Sequence, residues 1–481
     1  MRILIVAARY RPYGHFYELP LGLGYISSFL KSKGHDVKLL NMNEHPGNRA
    51  FVDEVEKANV LCTGGLSVHY GQVAWLLKYA KEVNPGIKIV LGGGLLSSEP
   101  TLITEDLNPD IGVIGEGESA FEDIFKHGFE KRVIHSQPIK DLDALPFPDY
   151  EGLGVRAYLD RQLCGDEHYL YPFDKPRCLP IISSRSCPHN CSFCFHPLGR
   201  VYRQRSLDNF FKEVEYLIET YQVNMLSVLD ELISANPERL ALFCERMRKY
   251  GLLWMTQMRA DSVTKDTIAQ LKDAGCHQIS YGVESGSNAV LASMNKRTTI
   301  DVIEQALEWT YAAGIGIQGN FIFGDKAETA KTTQETIDWW MKHRHLMLNL
   351  SYVIPYPGCD LYKYATEVGL IEDRLDFIQK GCPTVPLSRD ISQVSRIVEE
   401  HKAYGTLPAS VLQSEVMGED PFRGKLLRVV VTCPHCGKDI EYRNLFDAST
   451  NANMVNQFYR IGCRNCNQRF DIPKGALCQP V

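Results

Sequence analysis

The stretch "LPIISSRSCPHNCSFCFHP" (residues 179–197) places a short apolar run directly before three cysteines spaced C-x3-C-x2-C. The apolar run reads as a strand, and the thiols Cys187, Cys191 and Cys194 fall on the loop that follows it. The chain has 15 cysteines. In a reducing compartment, thiols clustered at short spacing point to metal binding rather than to disulfides. Thiolates are soft ligands for zinc, copper(I) and iron–sulfur clusters. A closed zinc site needs four ligands, which His189 or His196 would have to complete. A [4Fe–4S] cluster held by three cysteines instead leaves one iron open to a small molecule.

Working outward, segments on both sides alternate strands with helices. On the carboxyl side, "SLDNFFKEVEYLIETYQ" has helical spacing and a capping Ser206, and "MLSVLDE" reads as the next strand. Further strand–helix pairs follow through "LLWMTQMR", "HQISYGVES", "IGIQGNFIFG" and "LMLNLSYVIPYPG". Six strands, most with a following helix, suit a partial (β/α)6 barrel that works at the carboxyl ends of its strands. On the amino side, "RILIVAA", "DVKLLNM", "NVLCTGGL", "KIVLGGG" and "IGVIGEG" predict a parallel α/β sheet. Three of these strands run into glycines, at the end where such sheets bind ligands.

The expected organisation is an α/β chain with a Rossmann-like domain at 1–135, a proline-rich linker and cover at 136–178 and a barrel at 179–370. A helical segment at 371–425 and a small four-cysteine module at 426–481 complete it. That module carries Cys433, Cys436, Cys463 and Cys466 as C-x2-C, 26 residues, C-x2-C, a four-thiolate knuckle pattern for zinc or iron. The residue after each second cysteine is expected at positive φ, which Gly437 adopts freely and Asn467 tolerates.

Hydrophobic content of 44% and charged content of 23% describe a globular chain, and a net charge of −6 argues against a nucleic-acid scaffold. No apolar run has bilayer-spanning length and "MRILIVAARY" lacks a signal-peptide cleavage pattern, so the expected location is cytoplasmic with no membrane span.

The cysteine loop, with Phe193 before its last thiol, resembles the radical S-adenosylmethionine (SAM) superfamily. So do "YRQRSLDNFFKEVEYL", "VLDELIS", "AGCHQISYGVESGSNAVLASMNK", "AAGIGIQGNFIFGDKAET" and "PYPGCDLY", in the order that family shows, over about 190 residues. The resemblance implies a [4Fe–4S] cluster on Cys187, Cys191 and Cys194, with SAM chelated to the open iron and cleaved to a 5′-deoxyadenosyl radical. It implies that Phe193 lies near the adenine and that Asp230 and Glu231 accept the methionine ammonium. Glu284 would lie near the ribose and carboxylate, Arg259 near the carboxylate, and the segment Gly319 to Gly324 along the adenine. Without the resemblance, Asp230 and Glu231 read equally as ordinary strand-end acids and Arg259 as a surface cation. "GDKAET" departs from relatives that carry proline and glycine there.

The first 130 or so residues resemble the cobalamin-binding domain that precedes the barrel in one subclass. That implies cobalamin between the two domains, contacted by Thr63, Gly64, Gly65, Ser67, Gly92, Gly93, Gly94, Gly115, Glu116 and Gly117. The D-x-H-x-x-G motif that supplies histidine to cobalt is missing, since His15 and His45 lack its neighbours. Base-off cobalamin without a histidine ligand is expected.

The resulting expectation is an enzyme that methylates an unactivated carbon of a small molecule, supplied with electrons by a flavodoxin or ferredoxin. The alternative keeps the fold but forms a ring or a carbon–carbon bond on a tetrapyrrole, lipid or other metabolite. A methylthiotransferase would need three amino-terminal cysteines where only Cys62 stands. A non-catalytic electron carrier or scaffold would leave the strand motifs without a purpose.

Overall fold

The computed structural model describes residues 1–165, 172–446, 454–455 and 457–477, which divide into two compact units that do not follow chain order. The first comprises 1–158, 184–214 and 354–385, and the second 159–183, 215–353 and 386–481. The cysteine loop thus belongs to the same unit as the amino-terminal sheet.

The first unit is built on six parallel strands: β1 (Arg2–Ala7), β2 (Asp36–Asn41), β3 (Val60–Gly64), β4 (Lys88–Gly92), β5 (Ile111–Ile114) and β6 (Arg132–His135). Their spatial order is β2-β1-β3-β4-β5-β6. Strands β1 and β3 are buried almost throughout, as expected when helices cover both faces. Five of the six strands were expected. The edge strand β6, "RVIH", is short and only half-buried, so it carries no apolar run to read.

The chain next forms β7 (Cys178–Ile181) of the second unit. It returns to the first in a short antiparallel hairpin, β8 (Ser184–Arg185) with β9 (Arg203–Gln204), which closes the cysteine loop at its base. The second unit continues with β10 (Met225–Val228), β11 (Leu253–Met258), β12 (Cys276–Glu284), β13 (Gly316–Phe323) and β14 (Asn349–Tyr352). These strands pair in parallel in the order β14-β13-β12-β11-β10-β7, the open six-stranded arc of a partial barrel. Helices such as Pro237–Met247, capped by the Asn236 side chain, connect them.

The expected helical segment at 371–425 needs correction. Helices Arg374–Gln379 and Ile391–Lys402 are present, but β15 (Ser410–Asp420) follows as an edge strand. It pairs with β16 (Gly424–Thr432), which pairs in turn with β17 (Asp439–Phe446). "SVLQSEVMGED" is exposed along most of its length and lacks the apolar–polar alternation of a half-buried strand; pairing with "KLLRVVVT" decides its state. The module ends with β18 (Met454–Val455), β19 (Phe458–Gly462) and β20 (Arg469–Pro473). Among the described residues no helix is long and apolar enough to cross a membrane.

Candidate active site

The cysteine loop is held chiefly by charge. Arg185 pairs across the hairpin with Arg203, and both guanidinium groups are buried. Two buried carboxylates face them: Glu116 Oε1 lies 2.7 Å from Arg203 Nη1 and 3.2 Å from Arg185 Nη1, and Glu118 Oε1 lies 2.8 Å from Arg185 Nη2. The second Glu116 oxygen accepts the Ile139 N–H at 2.6 Å, and Arg185 stacks over the Tyr25 ring. Buried charges are tolerated only when paired and hydrogen-bonded in this way. Glu116, expected to touch cobalamin, therefore anchors the base of the cysteine loop.

Within the loop Cys191 is buried, Cys187 and Cys194 are half-buried, and the Cys194 N–H donates to the Cys191 carbonyl at 3.1 Å. Ser186 enters the loop at φ +71°, a left-handed conformation that a serine adopts only under constraint. Phe193 is half-buried. Phe195, beside Cys194, fixes the far side. Gly358, at φ +91°, leaves room for its ring, because a Cβ there would stand 2.4 Å from the ring carbons. The Leu361 N–H donates to the Ser192 carbonyl at 2.9 Å, so "PYPGCDLY" braces the loop. Phe195 also reaches the glycine turn after β4, where its Cε1 lies 3.8 Å from the place of a Cβ on Gly94.

The glycine turns of the amino-terminal sheet interlock with each other. The Leu95 N–H donates to the Gly65 carbonyl at 2.8 Å, and Gly93, at φ +80°, packs against Gly65. Thr63 turns inward to the Val6 carbonyl at 2.9 Å, and Ser67 Oγ lies 3.2 Å from Ser98 Oγ. Gly64 packs on the Gly92 carbonyl, Gly115 on Ser136 and Gly117 on Ile26. Many expected contact residues therefore shape the face from within. The face itself presents Gly93 and Leu66, the latter 55% exposed, at the carboxyl end of the sheet. Exposed backbone and an aliphatic side chain at that end fit a large planar ligand. Sequence reasoning missed His69, which stacks on Tyr10 at 3.9 Å and whose Nδ1 takes the Leu66 N–H at 3.3 Å; burial pushes its pKa down.

In the second unit, Asp230 is fully buried just beyond β10. Its carboxylate accepts the Ser183 N–H and O–H, each at 2.6 Å, and Arg239 Nη1 donates to the same hydroxyl. Glu231 beside it is exposed. Glu284 ends β12 at φ +65° and accepts from Lys296 Nζ at 2.7 Å. Gly282 makes that pair possible, since a Cβ there would stand 2.3 Å from the Glu284 oxygen and 2.6 Å from the Lys296 nitrogen. Arg259 is buried, forks onto the Asp261 carboxylate and donates to the Lys296 carbonyl. Lys296 thus joins Glu284 to Arg259. It lies 12 residues beyond Glu284, and no spacing rule singles it out. Gly319 packs against Leu348. Gly324 donates its N–H to buried Glu328 at 2.7 Å, and burial pushes the Glu328 carboxyl up to about 7. Neighbouring Asp325, fully buried, accepts the Ser293 hydroxyl at 2.6 Å. These two acids occupy the departure noted in "GDKAET".

The carboxyl-terminal thiols of Cys433, Cys436, Cys463 and Cys466 all lie within 4.8 Å of one another. The Cys433–Cys466 and Cys436–Cys463 sulfurs are 3.9 and 3.8 Å apart, against the edge of about 3.8 Å that a tetrahedron of about 2.3 Å metal–sulfur bonds requires. Gly437 and Asn467 hold φ of +69° and +60°.

Residues 13–125 match the B12 binding domain and residues 181–339 the Radical SAM superfamily. An uncharacterized methyltransferase of Pyrococcus horikoshii is 26% identical over 379 residues, covering 73% of this chain and 79% of the relative. The anaerobic magnesium-protoporphyrin IX monomethyl ester cyclase of Rubrivivax gelatinosus is 28% identical over 391 residues, covering 76% and 70%. In fold, the chain is similar to the radical S-adenosylmethionine methyltransferase TsrM from Kitasatospora setae, solved with cobalamin and a [4Fe–4S] cluster bound. The TM-score is 0.60 at 16% identity, over 77% of this chain and 75% of that one.

Proposed function

We propose that the chain, whose residues 181–339 match the Radical SAM superfamily and whose residues 13–125 match the B12 binding domain, is a cobalamin-dependent radical SAM enzyme that methylates an unactivated carbon of a small molecule. The observation that carries this reading is the placement of Phe195, next to Cys194, against Gly94 within one compact unit. A ligand on the glycine face would then lie beside the cysteine loop.

A bound cluster and corrinoid would supply radical generation from SAM and methyl transfer. The chain supplies position. Cys187, Cys191 and Cys194 would hold a cluster as three soft donors, with an iron left for SAM. Ser186, Phe195 and the Arg185–Glu116–Arg203 clamp fix the loop that carries them. In the second unit, Glu284 with Lys296, and exposed Glu231, are polar groups at strand ends, and Asp230 fixes Ser183. On the glycine face, Leu66 and the Gly92–Gly94 turn would meet the corrin, with no D-x-H-x-x-G histidine to reach cobalt. The four carboxyl-terminal thiols form a separate mononuclear site for zinc or iron. Electrons would come from a flavodoxin or ferredoxin. An oxidative cyclase is the second reading, favoured by the likeness to the Rubrivivax enzyme.

Purification in hydroxocobalamin followed by anaerobic reduction with SAM tests the proposal. One corrinoid per chain and release of 5′-deoxyadenosine are expected. A chain that retains no corrinoid would overturn the methyl-transfer reading.

A further inference from the structure

The four-thiol module touches the barrel at a definite place. The Asn467 side chain donates to the Gly314 carbonyl at 2.9 Å and the Gln468 side chain to the Ile315 carbonyl at 2.9 Å. Gly316, the first residue of β13, packs so tightly beneath the knuckle that a Cβ would stand 2.5 Å from the Asn467 carbonyl oxygen. From the first knuckle, His435 Nδ1 shares a hydrogen bond of 3.0 Å with the Tyr311 hydroxyl, on the helix that leads into β13. Met347, which precedes β14, is buried in one core with Cys433, Cys463, Tyr442 and Phe470.

These contacts all fall at the amino-terminal end of the barrel strands. Gly324 and Glu328 stand at the other end of β13, and the Glu284–Lys296 pair at the other end of β12. Eight residues of strand at about 3.3 Å each separate the ends of β13 by roughly 23–26 Å. A metal at the knuckle is therefore remote from the groups at the carboxyl ends of β12 and β13. It is close to the backbone from which β13 starts.

We propose that Cys433, Cys436, Cys463 and Cys466 bind one zinc ion, and that the zinc-loaded knuckle is a clasp that pins the start of β13 through Asn467 and Gln468. Four thiolates at tetrahedral spacing close the coordination sphere, so the ion takes no substrate, and d10 zinc, having no redox step, passes no electron. Its binding energy appears as folding energy of the module, and the knuckle hands that order to Gly314–Gly316. The inference rests on the four-thiol site alone and is independent of the radical chemistry.

Two measurements on the full chain test it. With Cys187→Ala, Cys191→Ala and Cys194→Ala removing the loop iron, elemental analysis should read one zinc per chain; one iron in its place, or no metal, would overturn the assignment. In the otherwise native chain, Asn467→Ala with Gln468→Ala keeps all four thiols. Hydrogen exchange of residues 313–318 should then quicken about tenfold, a loss of about 1.4 kcal/mol of local protection, with the zinc retained. The [4Fe–4S] electron paramagnetic resonance signal should stay unchanged, which separates this outcome from failure of the radical SAM reading. Unaltered exchange at 313–318 would overturn the clasp.

Discussion

The two cysteine sites solve opposite problems. In the carboxyl-terminal module, four thiols from two tight turns face each other within 4.8 Å, and the local backbone supports them; the Asn465 and Cys466 N–H groups donate to Cys463 Sγ. The 187–194 loop carries three thiols. Residues far away in sequence help to shape it: Glu116 and Glu118 on Arg185 and Arg203, and Gly94 and Gly358 around Phe195. A closed metal site can be its own scaffold. A site that keeps one position open needs the surrounding protein to hold it.

That contrast can be broken from the loop outward. Cys191→Ala should abolish 5′-deoxyadenosine formation while leaving the metal content of the module intact; loss of both would mean that the two sites are not independent. Glu116→Ala should come next, because it takes the carboxylate from buried Arg203 and leaves Arg185 with Glu118 alone, and breaking such a buried pair costs about 3–5 kcal/mol. Thermal unfolding should register that loss together with reduced iron content, whereas an unchanged melting temperature would remove the clamp from the account. Gly358→Ala combines positive φ with a clash against Phe195 and should cost about 1–3 kcal/mol, again with loss of cluster iron.

The smallest effect concerns pH in the second unit. Burial raises the Glu328 carboxyl from 4.5 to about 7, so the folded chain holds this proton more tightly than the unfolded chain does. Its contribution to stability is full below pH 4.5 and is lost as pH rises to about 7. Glu328→Gln should flatten the fall of melting temperature across that window, by about 2 °C or more. An equal slope in both proteins would contradict the assignment.

What could be read in the sequence follows the same division. The C-x3-C-x2-C loop, the C-x2-C pairs and the strand-end glycines are local patterns, and the chain itself spells them out. Lys296, Phe195 and the Arg185–Glu116–Arg203 clamp are long-range meetings with no spacing signature. Thr63 and Gly117 were legible as members of the glycine turns, but their inward roles depend on Val6 and Ile26, which only the fold brings near. The strand Ser410–Asp420 was missed because it is exposed on both faces, leaving its partner strand as the only determinant.

The central claim is that the three-thiol loop carries a cluster with one iron open to SAM. Electron paramagnetic resonance of the anaerobically reconstituted, reduced protein tests it most directly. The account predicts a [4Fe–4S]⁺ signal whose g-values shift when SAM is added and which is absent in Cys191→Ala; a signal indifferent to SAM, or one that survives the substitution, would contradict it.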